Sequence, residues 1–404
     1  MTSLIAWLDT SSEEQRRVRE LIALFTQTES RDELGIGQIR DAFSETLFPG
    51  TSVIQTRARY FLFVPWIYKE GRRLARGGPA LKAWADRQER KLVEALREAG
   101  DVEGLIGRRA GPAVKILPST IYWSGLARFG ILARDVASDQ LETLSPQQGY
   151  LEADELALRA VDGWHPTIPA APSGFPGRVD GGFDLTHEEA VWLAERVLET
   201  VPDTLLAHVV GRTGPPDPDS WAPWADSGCL DAPLPIIDQL EHARLFSLGM
   251  HGAALLYNLL IAENYEAAGH TTIPDPVSTY RVALDEWSDD CRDASAQLRS
   301  WDRDGMWEVV LRASPRIGPR TRAFVDAWLN TVCRGKTRGV GDDSQLRRLV
   351  GDRERVQKKA QSRLDNERLL RTWSGHSGSA QLTYRWPQVR RIVTDVYDGL
   401  DAPA

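Results

Sequence analysis

The chain has 404 residues, with 49 Lys and Arg against 57 Asp and Glu, a net charge of -8. That length suits two or three domains with sizeable cores, and 42% hydrophobic with 26% charged residues excludes a collagen-like or wholly disordered chain. Three scattered cysteines, Cys229, Cys291 and Cys333, exclude a Cys-x-x-Cys zinc or redox motif and suit a reducing compartment.

The opening run MTSLIAWLDTSSEE has no basic start and turns acidic, so it is not a secretory signal, and a cytoplasmic location is expected. Ser11 and Glu14 have capping-box spacing, and Val18, Leu21, Ile22 and Phe25 follow at helical period, which predicts an amphipathic first helix. The run LGIGQIR (34–40) begins like a dinucleotide loop, but Arg40 replaces the third glycine and no apolar strand precedes it. A turn or helix start is the better reading. Residues 60–68 are uninterruptedly apolar or aromatic and include Pro65, with Arg57 and Arg59 before them and Arg72 and Arg73 after. Nine such residues are too many for an exposed base-stacking platform, so a buried, Pro-kinked helix is expected, with the flanking arginines left for phosphates.

In the segment 108–130, Arg108, Arg109, Lys115 and Arg128 surround Tyr122 and Trp123. Ser119 after Pro118 is placed to cap a short helix, which gives a weak outline of a helix-turn-helix or winged module. Residues 162–182 are rich in Pro and Gly and read as a domain boundary, and 211–235 as a second irregular stretch. Thr186 and Glu189 repeat the capping-box spacing ahead of the stripe Ala190, Leu193, Ala194, Val197 and Leu198. The run 245–261 is apolar enough to suggest a membrane span, but it has 17 residues and contains Ser247, His251 and Asn258, so a buried core helix is expected.

Phe324, Val325, Trp328, Leu329 and Val332 mark another helix. From 343 to 371, Val356, Ala360 and Leu364 form a thin apolar stripe among nine basic residues, from Arg347 to Arg371, which reads as a helix exposing most of its circumference, either to solvent or to a polyanion. The run GHSGS (375–379) nearly matches a nucleophile elbow, but Ser379 replaces the final glycine and no buried strand precedes it, so a turn is expected. Pro387 then opens a helix faced by Val389, Ile392, Val393, Val396 and Leu400. The seven histidines show no metal spacing, and no phosphate-binding loop of the G-x-x-x-x-G-K-[ST] type exists. No cofactor is expected.

Charge is laid out in blocks. Residues 57–134 carry net +9, 135–311 net -22 and 312–391 net +12. Two basic blocks around an acidic one predict a polarised surface that attracts a polyanion, with the acidic centre repelling nucleic acid, facing a basic partner or masking the basic blocks. The expected architecture is mainly α, a multi-domain helical protein with few short strands. Its expected domains are residues 1–161, 183–311 and 312–404.

The run RDELGIGQIRDAFSETLFPGTSVIQTRARYFLFVPWIY (31–68) resembles the signature of a bacterial family known only as a domain of unknown function. The pieces 121–131, 242–263 and 373–389 resemble the same family, which carries no established catalytic residues to transfer. The resemblance implies a setting beside helicases, nucleases or methyltransferases in phage-defence gene clusters, and hence work on nucleic acid. The expected function is therefore a non-enzymatic component of a multi-protein anti-phage system that binds DNA, or alternatively RNA, with protein partners and no membrane. The candidate phosphate contacts are Arg57, Arg59, Arg108, Arg109, Lys115, Lys358, Lys359, Arg363, Arg385 and Arg390. Two alternatives stand beside it: a nuclease or base-modifying enzyme, and a protein scaffold whose charge blocks satisfy one another within the fold.

Overall fold

The computed structural model describes residues 32–74, 78–133 and 163–403. The helix expected after Ser11 lies outside them. Among the described residues there are fifteen α-helices and no strand, with one isolated bridge between Leu132 and Trp164. In chain order the helices are α1 (Gly37–Leu47), α2 (Tyr60–Arg73), α3 (Gly78–Glu98), α4 (Pro118–Arg128), α5 (His187–Thr200), α6 (Leu205–Gly211), α7 (Ser227–Leu230) and α8 (Leu234–Ala267). There follow α9 (Pro276–Asp293), α10 (Ser295–Ser300), α11 (Arg303–Ala313), α12 (Pro319–Cys333), α13 (Ser344–Lys358), α14 (Glu367–Arg371) and α15 (Trp386–Leu400).

The described residues form two compact units whose segments alternate along the chain. One takes residues within Met1–Arg40 and His242–Leu382, the other those within Asp41–Glu241 and Thr383–Ala404. This division is not sequential, whereas the loop composition suggests three consecutive domains.

The unit built on Asp41–Glu241 is centred on α2. Every residue from Tyr60 to Tyr68 is buried, as nine consecutive apolar positions require. Tyr60 and Phe63 meet Phe183, Phe63 and Trp66 meet Phe175, and Phe61 meets Tyr122 and Phe129. The Trp66 indole N–H donates to the Pro169 carbonyl at 2.6 Å. The Pro/Gly-rich stretch around 169–183 thus supplies two aromatic rings and a carbonyl to the core of this unit. Helix α5 opens with both halves of the capping box, Thr186 to the Glu189 amide and the Glu189 carboxylate to the Thr186 amide. Its apolar face packs on α15.

The other unit is organised around the part of α8 from His242 onward. Helix α8 is long and apolar enough to cross a membrane by length and composition, but 83% of its most apolar window is buried inside the protein. Trp287 of α9 donates to the Leu248 carbonyl and Trp328 of α12 to the Gly249 carbonyl, each at 2.8 Å, and the two indoles stack. Gly252 makes this possible. A β-carbon there would stand 2.2 Å from the Trp287 ring.

Helix α13 departs from the expected stripe. It ends at Lys358, where Lys359 turns to a positive φ of 51°, so Ala360 and Leu364 are not on it. Its buried face is Leu346, Val350, Arg353 and Glu354, while Val356 is 49% exposed. Buried Glu354 accepts the Arg363 amide at 2.7 Å and the Ser362 hydroxyl, and so folds the following turn back on the helix end.

Candidate nucleic-acid interface

A basic exposed element of the Asp41–Glu241 unit is the part of the loop between α3 and α4 that follows Asp101 and Glu103. No Asp or Glu occurs from 104 to 134, and the loop carries Arg108, Arg109 and Lys115. All three are exposed. No hydrogen bond or ion pair of their side chains exists among the described residues.

This loop is held rigidly from below. Arg90 of α3 donates to the carbonyls of Pro112, within a short 3-10 turn (Gly111–Ala113), and of Val114, just after it. The Ile106 amide donates to the Tyr60 hydroxyl at 3.1 Å. Gly111 adopts φ 57°, and a β-carbon there would lie 2.8 Å from the Arg97 guanidinium. Exposed Arg97 therefore lies against the turn and adds a fourth cation to it.

The start of α4 is not capped by Ser119, as its sequence suggests. The Ser119 amide instead donates at 2.8 Å to Glu89, one residue before Arg90 on α3. Glu89 is fully buried and its other carboxylate oxygen has no partner among the described residues. Burial pushes its carboxyl up to about 7, against the pull of the Ser119 bonds. Consecutive residues of α3 thus clamp the basic loop and the helix that follows it.

Six of the ten expected phosphate contacts are engaged inside the fold. Arg57, 8% exposed, pairs with buried Asp395 at 2.9 Å and lies over the Phe183 ring. Burial raises the Asp395 carboxyl above its ordinary range, with the Arg57 bonds pulling it back. Arg59, 2% exposed, donates to the Asp180 and Gly182 carbonyls and pairs with Glu189 at 2.9 Å. Arg385 donates to the Thr51 carbonyl and faces Glu45 at 3.5 Å, and Arg390 donates to the Ser220 carbonyl at 2.6 Å. In the other unit, Lys358 and Arg363 share Glu33, at 3.1 and 2.8 Å. Lys359 alone of that unit's candidates stays exposed without a partner among the described residues. Arg348, Arg368 and Arg371 are exposed in the same way, whereas Arg347 pairs with Glu263 and Arg355 with Asp365.

Nothing in the sequence singles out Arg90 or Arg97. Their signal is only that they lie seven residues apart, on one face of a helix. What they touch is a turn reached through a separate segment.

The near-elbow GHSGS is a turn. Its Ser377 is buried, with its amide and carbonyl both bonded to Asn258, and the nearby His251 ring bonds the Ser379 carbonyl. Burial lowers the basicity of His251. The Ser377 hydroxyl has no partner among the described residues, and none of them places a base to activate it. Among the described residues no group of three or more His, Cys, Asp or Glu is arranged to hold a metal ion.

A family model described as a family of unknown function (DUF6361) matches residues 2–399. No curated protein and no solved structure matches the chain.

Proposed function

The chain belongs to that family of unknown function, and we propose that it is a non-enzymatic nucleic-acid-binding component of a multi-protein anti-phage system. The observation that carries the reading is the α3–α4 loop. Arg108, Arg109 and Lys115 stand exposed, with no ion pair among the described residues, on a backbone already clamped by Arg90. A preorganised cationic loop of this kind attracts phosphates and loses little freedom on binding them. Polyanion binding by a protein of net charge -8 requires such local concentration of positive charge.

The test is fluorescence anisotropy of labelled single- and double-stranded DNA with the full chain across a salt series. Affinity is expected to fall log-linearly with salt, with a slope of about 0.9 per neutralised phosphate on duplex. Replacing Arg108, Arg109 and Lys115 together by Ala should weaken binding and flatten that slope by about 0.9 for each phosphate no longer neutralised. Unchanged affinity in the triple variant would overturn this site.

A second reading, a protein scaffold without nucleic-acid contact, is favoured by the internal pairing of Arg57, Arg59, Lys358 and Arg363. Absence of DNA and RNA binding even at low salt selects it.

A further inference from the structure

A second surface of the Asp41–Glu241 unit has the opposite character. No Lys or Arg lies between Arg212 and Arg244. Within that stretch Asp217, Asp219, Asp231 and Asp238 are exposed, and none is paired with a cation among the described residues. The same stretch exposes three large apolar side chains: Trp221 is 51% exposed, Leu230 55% and Leu234 78%. Such exposure of a tryptophan costs solvation free energy unless something covers it.

The segment is irregular but not loose. Asp226, 1% exposed, accepts the amides of Asp217, Gly228 and Cys229 and takes the Arg212 guanidinium at 3.4 Å. Ser220, next to the exposed tryptophan, has its carbonyl bonded by Trp386 and Arg390 of α15. Trp224 meets Trp221 edge-on and touches Tyr384 in turn. Trp221 is therefore displayed from a fixed backbone, so ordering it costs little when a partner arrives.

We infer that residues 217–238 are a docking surface for a basic segment of a partner protein, one that presents an apolar side chain between Lys or Arg residues. The apolar residue would cover Trp221, and the flanking cations would meet the unpaired aspartates. Nucleic acid is repelled by the same aspartates, so this surface and the α3–α4 loop select different classes of partner.

The experiment uses the full chain and three labelled peptides: a Leu/Lys amphipathic helix, the matching Leu/Glu helix, and poly-lysine. The Leu/Lys peptide should bind, the Leu/Glu peptide should not, and poly-lysine should bind more weakly. Trp221→Ala should weaken the Leu/Lys peptide by about tenfold or more, as removal of an interface hot spot does, while leaving DNA affinity unchanged. Leu230→Ser with Leu234→Ser should weaken it independently, with the tryptophan still in place. The proposal is overturned if Trp221→Ala binds the Leu/Lys peptide as tightly as the parent, or if the Leu/Glu peptide binds equally well. It is also overturned if sedimentation shows a self-association abolished by Trp221→Ala, because the occupant is then a second copy of this chain.

Discussion

Arg59 and Arg108 are the same residue type in the same basic block, yet they do different work. Arg59 is 2% exposed and meets Glu189, itself 4% exposed. Breaking such a pair leaves a buried charge uncompensated, so Arg59→Ala should cost about 3–5 kcal/mol in chemical denaturation. Its effect on DNA affinity, measured where the variant remains folded, should be negligible, in contrast to Arg108. Glu89 makes a second test at this scale. Its folded pKa of about 7 lies above the ordinary 4.5, so the stability associated with it is fully present below about pH 4.5 and is lost as pH rises through about 7. Glu89→Gln keeps an acceptor for the Ser119 amide without the charge. It should therefore leave Tm nearly unchanged at pH 5 and raise it at pH 8, by an amount on the order of 3 kcal/mol in stability. A Tm gain at pH 5 as large as that at pH 8 would disprove this account. None of these roles is legible in the sequence. Charge and residue type are visible there, but the partner of Arg57 is 338 residues away.

At the scale of elements, more is legible. Residues 60–68 have to be buried because nothing polar interrupts them, and they form the buried face of α2. The capping box before α5 is a local device, and its two hydrogen bonds are the ones the spacing requires. The end of α13 is not legible, because helical periodicity in sequence does not show where a residue takes a positive φ, as Lys359 does. The 162–182 stretch reads as a domain boundary from its Pro and Gly, which report backbone conformation, not burial. Helix α8 yields a prediction of its own. Gly252→Ala places a methyl group 2.2 Å from the Trp287 ring, between two helices fixed by indole-to-carbonyl bonds. Overpacking at such a site should cost about 1–3 kcal/mol, seen as a lower denaturation midpoint with shifted tryptophan emission. An unchanged midpoint would mean that α9 moves aside freely.

For the whole molecule, the charge blocks of the sequence only partly become surface fields. Much of the positive charge of the two basic blocks is neutralised within each unit, by partners such as Glu189, Asp395, Glu33 and Glu263. What survives is local: in one unit a cationic loop at 104–117 and an acidic, apolar stretch at 217–238, in the other the exposed Arg348, Lys359, Arg368 and Arg371. If the acidic block masks the basic loop, removing residues 183–311 is a poor test, because that excision takes Glu189 from Arg59 and the whole of α8 with it. Neutralising Asp217, Asp219, Asp231 and Asp238 to Asn tests masking without breaking either core. Masking predicts tighter DNA binding by that variant at low salt, and the gain should vanish as salt screens the charges. Equal affinity at all salt concentrations rejects masking.

The alternation of segments between the two units has a consequence for biosynthesis. Arg57 is translated early, while Asp395, which neutralises it, is translated long after, together with the helix that packs on α5. Until the ribosome has passed residue 383, the unit begun at Asp41 lacks α15 and holds a guanidinium without its counter-ion. A nascent chain stalled before that point should be open to proteases and chaperones within Asp41–Glu241, and that segment should become resistant abruptly once α15 has emerged.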